Sequence, residues 1–469
     1  MRLLSVLFFF LILNGLTAQS DPVDYYERFK ERAIQDRFFK HHDIEKILSG
    51  LKEDQRFQIS EIGKSIEGRS INLVRIGTGK RVVLLWSQMH GDETTATMAM
   101  MDLFRFFEDR GVDEALKESI MAELSLYFVP MLNPDGAARF DRRNALGVDL
   151  NRDALRLQSP ESRILKHLVD SLKPEFGFNL HDQSSYYTAG DTKKTATFSF
   201  LAPAYNYERE VNPVRLKAMN LIGDLNDYVQ QYFPGMVGRY SDAFEPRAFG
   251  DNITKWGTST ILVECGGLQG DPEKQNIRKV HFGLFIHAFQ SILNNHYQEY
   301  RMKDYLAIPN NERNIRDLLL RNVRYDRDGK QYILDLAFMN AEIESEDHNR
   351  VFNKARLMDI GDLSTSKAFV EVDVDSLLIR KPAIYPEVLS KDQLEELDLS
   401  ALRQKGVGVV LLDEDIGMEY LDYPIAVVHD LRHLQWKPQY QSNPSFFLVE
   451  PQSQAIKFWV HNGKIIPIK

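Results

Sequence analysis

Residues 82–93 read VVLLWSQMHGDE, and the fold of the first half of the chain can be built outward from them. The apolar run at 82–86 is short and begins with two β-branched residues, which is typical of a buried strand. Apolar residues then recur at helical spacing, so His90 and Glu93 fall in the turn between a strand and a helix. In open α/β sheets, ligands bind at the carboxyl ends of strands, where these two side chains could converge on one metal ion. The alternative is that Asp92 and Glu93 only complement the dipole of the following helix.

The composition is that of a globular protein with two or three domains: 469 residues, 43% hydrophobic and 27% charged. The net charge of −9 argues against a nucleic-acid partner, because phosphate binding requires a basic field. No apolar run is long enough to predict a membrane span.

Residues 1–20 are predicted to form a signal peptide, with Arg2, an apolar run over 3–13 and a small-residue cleavage context at 18–20. The single cysteine, Cys265, permits no internal disulfide and lies far from the cleavage region, so we expect no lipoprotein anchor. Export without disulfides favours a bacterial periplasm or exterior, and we predict a secreted or periplasmic protein.

Strand and helix patterns alternate over residues 21–300. They predict an α/β domain with a mixed, mainly parallel sheet flanked by helices. Residues 305–469 carry short alternating runs and an Asn462-Gly463 hairpin turn, which predict a smaller β-rich accessory domain without a catalytic cluster. In the first domain we predict a hairpin at 58–63 and 71–77, strands at 82–86, 124–130, 176–180 and 260–263, and helices at about 94–109, from 160, at 207–232 and at 274–294.

Four of these strands are followed by polar groups that a parallel sheet would bring to one edge. They are His90 with Glu93, the loop 133–152, His181, and Glu264. Two histidines and one glutamate form the ligand set that holds a catalytic zinc and leaves a fourth position for water. Such a site also needs a carboxylate that takes a proton from the water, and Glu264 is placed to do so.

These motifs make the first half resemble the zinc metallocarboxypeptidase family, of which carboxypeptidase A is the type. The likeness spans roughly residues 55–290. It implies one zinc ion per chain bound by His90, Glu93 and His181, with Glu264 as the general base. The other matching segments are Ser65 to Arg69, Asn133-Pro134-Asp135-Gly136, Arg142 with Asn144, and Gly147-Val148-Asp149-Leu150-Asn151-Arg152.

The resemblance also implies a role for each residue around the metal. Arg142 would polarise the scissile carbonyl, and Asn151 and Arg152 would hold the terminal carboxylate of the substrate. Arginine is suited to that task because it binds carboxylates bidentately. Tyr240 is the one candidate for the family's mobile active-site tyrosine.

The chain also departs from the family pattern. Asp92 stands where carboxypeptidase A has a substrate-gripping arginine, which would disfavour acidic substrates or favour a basic group nearby. The aromatic residue familiar after the catalytic glutamate in digestive members is missing. Cys265 should point away from Glu264 on a strand, and we interpret it as a small buried hydrophobe.

The sequence thus predicts a secreted zinc carboxypeptidase acting on a peptide or peptide-like substrate with a free carboxylate. One alternative is a zinc amidohydrolase on the same fold, cleaving peptidoglycan stem peptides or N-acyl amino acids. Another is a non-catalytic peptide- or glycan-binding protein. The sequence does not identify a partner for the accessory domain.

Overall fold

The computed structural model describes residues 21–313, 315–415 and 417–468, so the predicted signal peptide lies outside the described residues. Within that part of the chain, no helix combines the length and the apolar character needed to cross a membrane.

The first half is an alternation of strands and helices, as predicted. Its strands are β1 (Phe57–Lys64), β2 (Ser70–Ile76), β3 (Arg81–Trp86), β4 (Leu124–Val129), β5 (Phe176–Asp182), β6 (Thr188–Ala189), β7 (Phe198–Leu201), β8 (Val237–Arg239) and β9 (Ser259–Cys265). Its helices are α1 (His41–Leu51), α2 (Thr95–Glu108), α3 (Glu114–Glu123), α4 (Pro134–Ala138), α5 (Pro160–Leu172), α6 (Pro213–Gln230), α7 (Phe249–Lys255), α8 (Gln275–Asn294) and α9 (Met302–Ala307). Short 3-10 turns lie at Pro22–Arg28, Leu150–Arg152 and His296–Glu299.

Eight strands form one sheet in the order β1-β2-β4-β3-β5-β9-β7-β8. The central strands β4, β3, β5 and β9 are mutually parallel. The pairs β1–β2, β2–β4 and β9–β7 are antiparallel. The expected mixed α/β sheet is confirmed, and the carboxyl ends of its parallel strands lie along one edge.

Helices cover both faces of this sheet and bury an apolar core on each side. Helices α2, α6 and α8 contribute to the larger core, and α5 and α7 to the smaller one. The four residues of α2 whose spacing indicated a helix are fully buried: Met98, Met101, Phe104 and Phe107. Burying such side chains contributes about 1.5–3 kcal/mol each, so the two cores hold the sheet edge in place.

Residues 183–250 contain more regular structure than the predicted loop and helix. Strands β6, β7 and β8 and helix α7 all lie there. Helix α6 begins at Pro213 and not near 207, because the Asn212 side chain caps it by accepting from Arg215 N at 2.8 Å. Proline suits the first helical position because the backbone N–H that it lacks would have no partner within the helix there.

The second half is β-rich, as predicted, but its strands belong to three different sheets. Its strands are β10 (Asn311–Glu312), β11 (Ile315–Arg327), β12 (Lys330–Glu344), β13 (Val351–Gly361), β14 (Lys367–Asp373), β15 (Leu378–Arg380), β16 (Ala383–Leu389), β17 (Val407–Leu412), β18 (Ala426–Val428), β19 (Phe446–Val449), β20 (Ile456–His461) and β21 (Lys464–Pro467). Helices α10 (Lys391–Glu395) and α11 (Leu399–Gln404) and a 3-10 turn at Leu431–His433 complete it. The large accessory sheet follows the order β13-β12-β11-β15-β19-β20-β21 with β14 on β11, and β16-β17-β18 form a small parallel sheet.

The two halves join near residue 310. Tyr297, Tyr305 and Ile308 belong to the larger core of the first half, so that core extends past residue 300. Strand β10 then pairs with β6, Asn311 opposite Ala189. The domain division at 300–305 stays a prediction, and the core contacts favour a division after Ile308.

Candidate active site

The turn after β3 places His90 and Glu93 at the carboxyl edge of the sheet, where both side chains are buried. Its backbone packs directly on α4, and a Cβ on Gly91 would lie 2.1 Å from the carbonyl carbon of Gly136. Only glycine fits at such a close approach. Gly91 N also donates to Asp141 O at 3.0 Å, which fixes the turn against the loop that carries Arg142.

The donor atoms of His90, Glu93 and His181 meet at one point, although His181 lies 88 positions beyond Glu93. His90 Nδ1 lies 2.8 Å from Glu93 Oε1, and His181 Nδ1 lies 2.6 Å from Glu93 Oε2. The two Nδ1 atoms are 3.2 Å apart. The structure thus brings the three predicted metal ligands together.

This donor set fits a zinc ion. Nitrogen ligands arranged tetrahedrally at about 2.0–2.1 Å from zinc lie about 3.3 Å from one another, close to the distance between the two Nδ1 atoms. Among the described residues, His90, Glu93 and His181 are the group of histidine, cysteine and acidic side chains whose ligand atoms come close enough to hold a metal.

Glu264 lies beside this group because β9 runs parallel to β5 and pairs Glu264 with His181. The carboxyl is 8% exposed. Burial, and then the negative charge of Glu93, raise the pKa of Glu264 well above its ordinary value.

Asp149 orients the first histidine, a role that we did not predict. Its Oδ1 lies 3.1 Å from His90 Nε2, the ring nitrogen that does not face Glu93. Burial alone would lower the pKa of His90, but Glu93 and Asp149 raise it to about 9. A carboxylate behind a metal-binding histidine fixes its tautomer and orientation. The sequence offered one indication of this role, because Asp149 lies within the segment Gly147 to Arg152 that resembles the family.

Arg142 also reaches the metal donors. Its Nη1 donates to Glu93 Oε1 at 3.1 Å, and its Nε and Nη2 donate to Asp149 Oδ2 at 3.2 and 3.1 Å. The guanidinium is therefore held in a fixed orientation beside the donor group, as a cation that stabilises an oxyanion should be.

Asn151 and Arg152, the residues predicted to bind the substrate carboxylate, lie in the 3-10 turn that follows Asp149. Asn151 Oδ1 accepts from Phe249 N at 2.9 Å, which ties this turn to α7. Arg152 is partly exposed and pairs with Glu245, with Nε 3.4 Å from Oε2. The carboxylate of Glu245 is thus already paired with Arg152. Glu245 was not identified from the sequence.

Tyr240 follows β8, and its N donates to Phe200 O at 2.9 Å. Its ring packs against Tyr187 with 6.0 Å between the centroids. Burial and the charge of nearby Glu264 raise the pKa of Tyr240, so its hydroxyl stays protonated. Tyr240 therefore interacts electrostatically with Glu264.

Of two further residues singled out in the sequence, Asp92 is half-buried and Cys265 is buried. The Asp92 carboxyl has its pKa raised to about 7, by burial and then by Glu93, and its Oδ1 lacks a hydrogen-bond partner among the described residues. Cys265 is buried, as expected, with its Sγ 3.2 Å from His281 Nδ1.

Comparison with known proteins defines the class. Residues 44–199, about a third of the chain, match the family model described as zinc carboxypeptidase. The matched segment includes His90, Glu93 and His181 and ends before Glu264.

Individual relatives share only part of the chain. Carboxypeptidase SOL1 of Arabidopsis thaliana is 24% identical over 227 residues, 42% of this chain and 45% of its own. An uncharacterized protein of Zymomonas mobilis is 27% identical over 146 residues, 30% of this chain and 37% of its own. This chain thus spans less than half the length of either relative. A solved metallo-carboxypeptidase from Burkholderia cenocepacia superposes with a TM-score of 0.45 at 15% identity, covering 55% of this chain and 70% of that one.

Proposed function

We propose that this protein is a zinc-dependent carboxypeptidase that hydrolyses the C-terminal peptide bond of peptides. The observation that carries the proposal is the convergence of His90 Nδ1, His181 Nδ1 and the Glu93 carboxylate within hydrogen-bonding distance of one another. Glu264 lies on the adjacent strand. One zinc ion per chain, held by these three residues, would polarise the scissile carbonyl and acidify the attacking water.

The protein's own groups would then handle the proton and the developing charge. Glu264, on the strand that pairs with the His181 strand, would take a proton from the attacking water and deliver it to the leaving amine. Arg142 is fixed by Asp149 and donates toward the charge that develops on the carbonyl oxygen.

Arg152 and Asn151 would bind the carboxylate of the substrate's last residue. The guanidinium of Arg152 must exchange its present partner, Glu245, for the substrate. Tyr240 contributes a protonated hydroxyl near Glu264, consistent with a role as a donor to bound substrate.

A digest of a mixed peptide library by zinc-loaded protein, read by mass spectrometry, tests this function. Free peptides should lose single C-terminal residues, and their amidated counterparts should resist. The Glu264→Gln variant, loaded with zinc to the same stoichiometry, is the control for a contaminating peptidase. Equal cleavage of free and amidated peptides would defeat the exopeptidase proposal and favour a zinc amidohydrolase acting on peptidoglycan stem peptides or N-acyl amino acids. Stoichiometric zinc without any hydrolysis would favour a non-catalytic binding protein.

We also propose that the protein is secreted or periplasmic. The support is the apolar run over residues 3–13 and the small-residue context at 18–20, both outside the described residues. Mass determination of the protein purified from its native host should give an N-terminus near residue 21.

A further inference from the structure

The accessory sheet is fixed against the first half of the chain. Asn340 N donates to Tyr186 Oη at 3.0 Å, and Arg37 donates to both carboxylate oxygens of Glu342 at 2.8 and 3.2 Å. The pairing of β10 with β6 adds backbone hydrogen bonds at the same junction. Because Arg37 is nearly buried, its ion pair with Glu342 is partly shielded from solvent and holds the two surfaces in one arrangement.

A cleft of about 730 Å³ remains between the two halves. One wall consists of the segments that follow β5 and β9, with Ser184, Ser185 and Leu268 among its residues. The opposite wall belongs to the accessory sheet and includes Phe369 and Val370 on β14. A volume of several hundred cubic ångströms is in the range of sites that hold ligands.

This cleft begins next to the candidate metal site. Ser184 lies three residues after His181, and Gly267 lies three residues after Glu264. Three extended residues span at most about 11 Å. A peptide whose reacting bond lies beside His181 and Glu264 would therefore reach this cleft within about three of its own residues.

The charged side chains that line the cleft already have hydrogen-bond or ion-pair partners, some of them outside the cleft. Arg37 is bound by Glu342, and Lys274 Nζ lies 3.1 Å from Asp182 Oδ2. Asp317 accepts the hydroxyl of Tyr186 at 2.5 Å. The cleft thus offers no unpaired charge from these groups to an ionic ligand.

The remaining surface of the cleft is lined by uncharged side chains. It combines exposed hydroxyl and amide groups with apolar patches, a mixture that suits the main chain and side chains of an extended peptide. The contributing residues are Ser184, Ser185, Gln269, Leu268, Phe369 and Val370.

We propose that this cleft binds the segment of a peptide substrate on the amino-terminal side of the cleaved bond, so that the accessory sheet forms part of the substrate-binding surface. This inference rests on the carboxypeptidase function proposed above. The accessory domain then contributes substrate contacts and no catalytic group. It should favour longer peptides over dipeptides.

The test compares kcat/KM for dipeptides and hexapeptides that share one C-terminal residue. Wild-type protein should prefer the hexapeptide by about ten-fold or more, equivalent to about 1.4 kcal/mol. Val370→Glu places a charge in the apolar part of the cleft, and Ser185→Trp obstructs the opposite wall. Each should remove most of the preference and leave dipeptide kcat/KM within about two-fold of wild type.

Ile333→Glu is the matched control. Ile333 is also an exposed β-branched residue of the accessory sheet, 56% exposed against 43% for Val370, and it does not line the cleft. It should retain the full length preference. An active wild-type protein without a length preference would overturn the inference, and so would cleft variants that lose dipeptide and hexapeptide activity equally. Failure to hydrolyse peptides of any length would instead overturn the proposed function, and this inference with it.

Discussion

Replacing Asp149 by asparagine should weaken zinc binding without removing any metal ligand. The carboxylate contacts His90 Nε2 at 3.1 Å and the Arg142 Nε and Nη2 atoms at 3.2 and 3.1 Å. It also accepts from Asn151 N at 2.9 Å. Asparagine keeps the shape of the side chain but removes its charge. It also turns an N–H group toward either His90 or Arg142, where a donor then faces a donor.

The magnitude follows from these contacts. Loss of a carboxylate behind a metal-binding histidine costs about 10- to 100-fold in metal affinity, or about 1.4–2.7 kcal/mol. Arg142 loses a charge-assisted bidentate partner as well, so its guanidinium is no longer fixed beside Glu93. We therefore expect kcat to fall even when zinc is added to saturation.

The assay is a competition titration of zinc against a chelator of known affinity, at one pH, with protein shown to be folded by circular dichroism. Asp141→Asn is the control, because Asp141 is exposed on the same loop and its side chain accepts only a local bond from Arg143 N. Unchanged zinc affinity in Asp149→Asn, or an equal loss in Asp141→Asn, would refute the role assigned to Asp149.

Four further predictions concern single side chains. Glu264→Gln cannot accept a proton and should lower kcat by about 10²–10⁴ with little change in KM. Steady-state kinetics measure both constants, and a raised KM with unchanged kcat would contradict this prediction. Arg152→Ala should raise KM for free peptides by about 10- to 100-fold. Glu245→Gln removes the competing carboxylate and should lower KM by about 1.5- to 5-fold, and a rise in KM would show that Glu245 assists binding. Burial lowers the pKa of the His281 imidazole to about 3 from an ordinary value of 6.5. As the pH falls, the unfolded chain therefore takes up a proton at this histidine before the folded chain does, and the free energy of unfolding decreases below about pH 6.5. Urea unfolding measures the free energy of unfolding of both proteins. Between about pH 7.5 and about pH 4.5, the wild-type value should fall by about 2–3 kcal/mol more than the value of His281→Gln. Equal decreases in the two proteins would show that His281 does not titrate on unfolding.

Local patterning was sufficient to predict the elements that carry the candidate site. The apolar run 82–86 followed by helical spacing placed His90 and Glu93 in a strand–helix turn, where the structure has them. The isolated runs before His181 and Glu264 are strands β5 and β9. Such predictions succeed because strand and helix periodicity is a property of neighbouring residues, which the sequence displays directly.

Chain segments with weak periodicity were predicted less well. The region 183–250 contains β7 and β8, each of which has only three or four residues. Such strands are too short to show an alternation pattern, and they form because their partners in the sheet already exist. The parallel unit β16-β17-β18 within a β-rich half depended in the same way on tertiary context.

The sequence by itself determined the class of fold and the resemblance to zinc carboxypeptidases, because these depend on local patterns and on motif order. Only the tertiary structure decided the contact of Asp149 with His90, the pairing of Arg152 with Glu245 and the cleft against the accessory sheet. His90 and Asp149 are 59 positions apart in the chain, and Arg152 and Glu245 are 93 positions apart. Ser185 and Val370, which line the same cleft, are more than 180 positions apart. No local pattern encodes which distant side chains meet, because that depends on how strands and helices pack around a shared core.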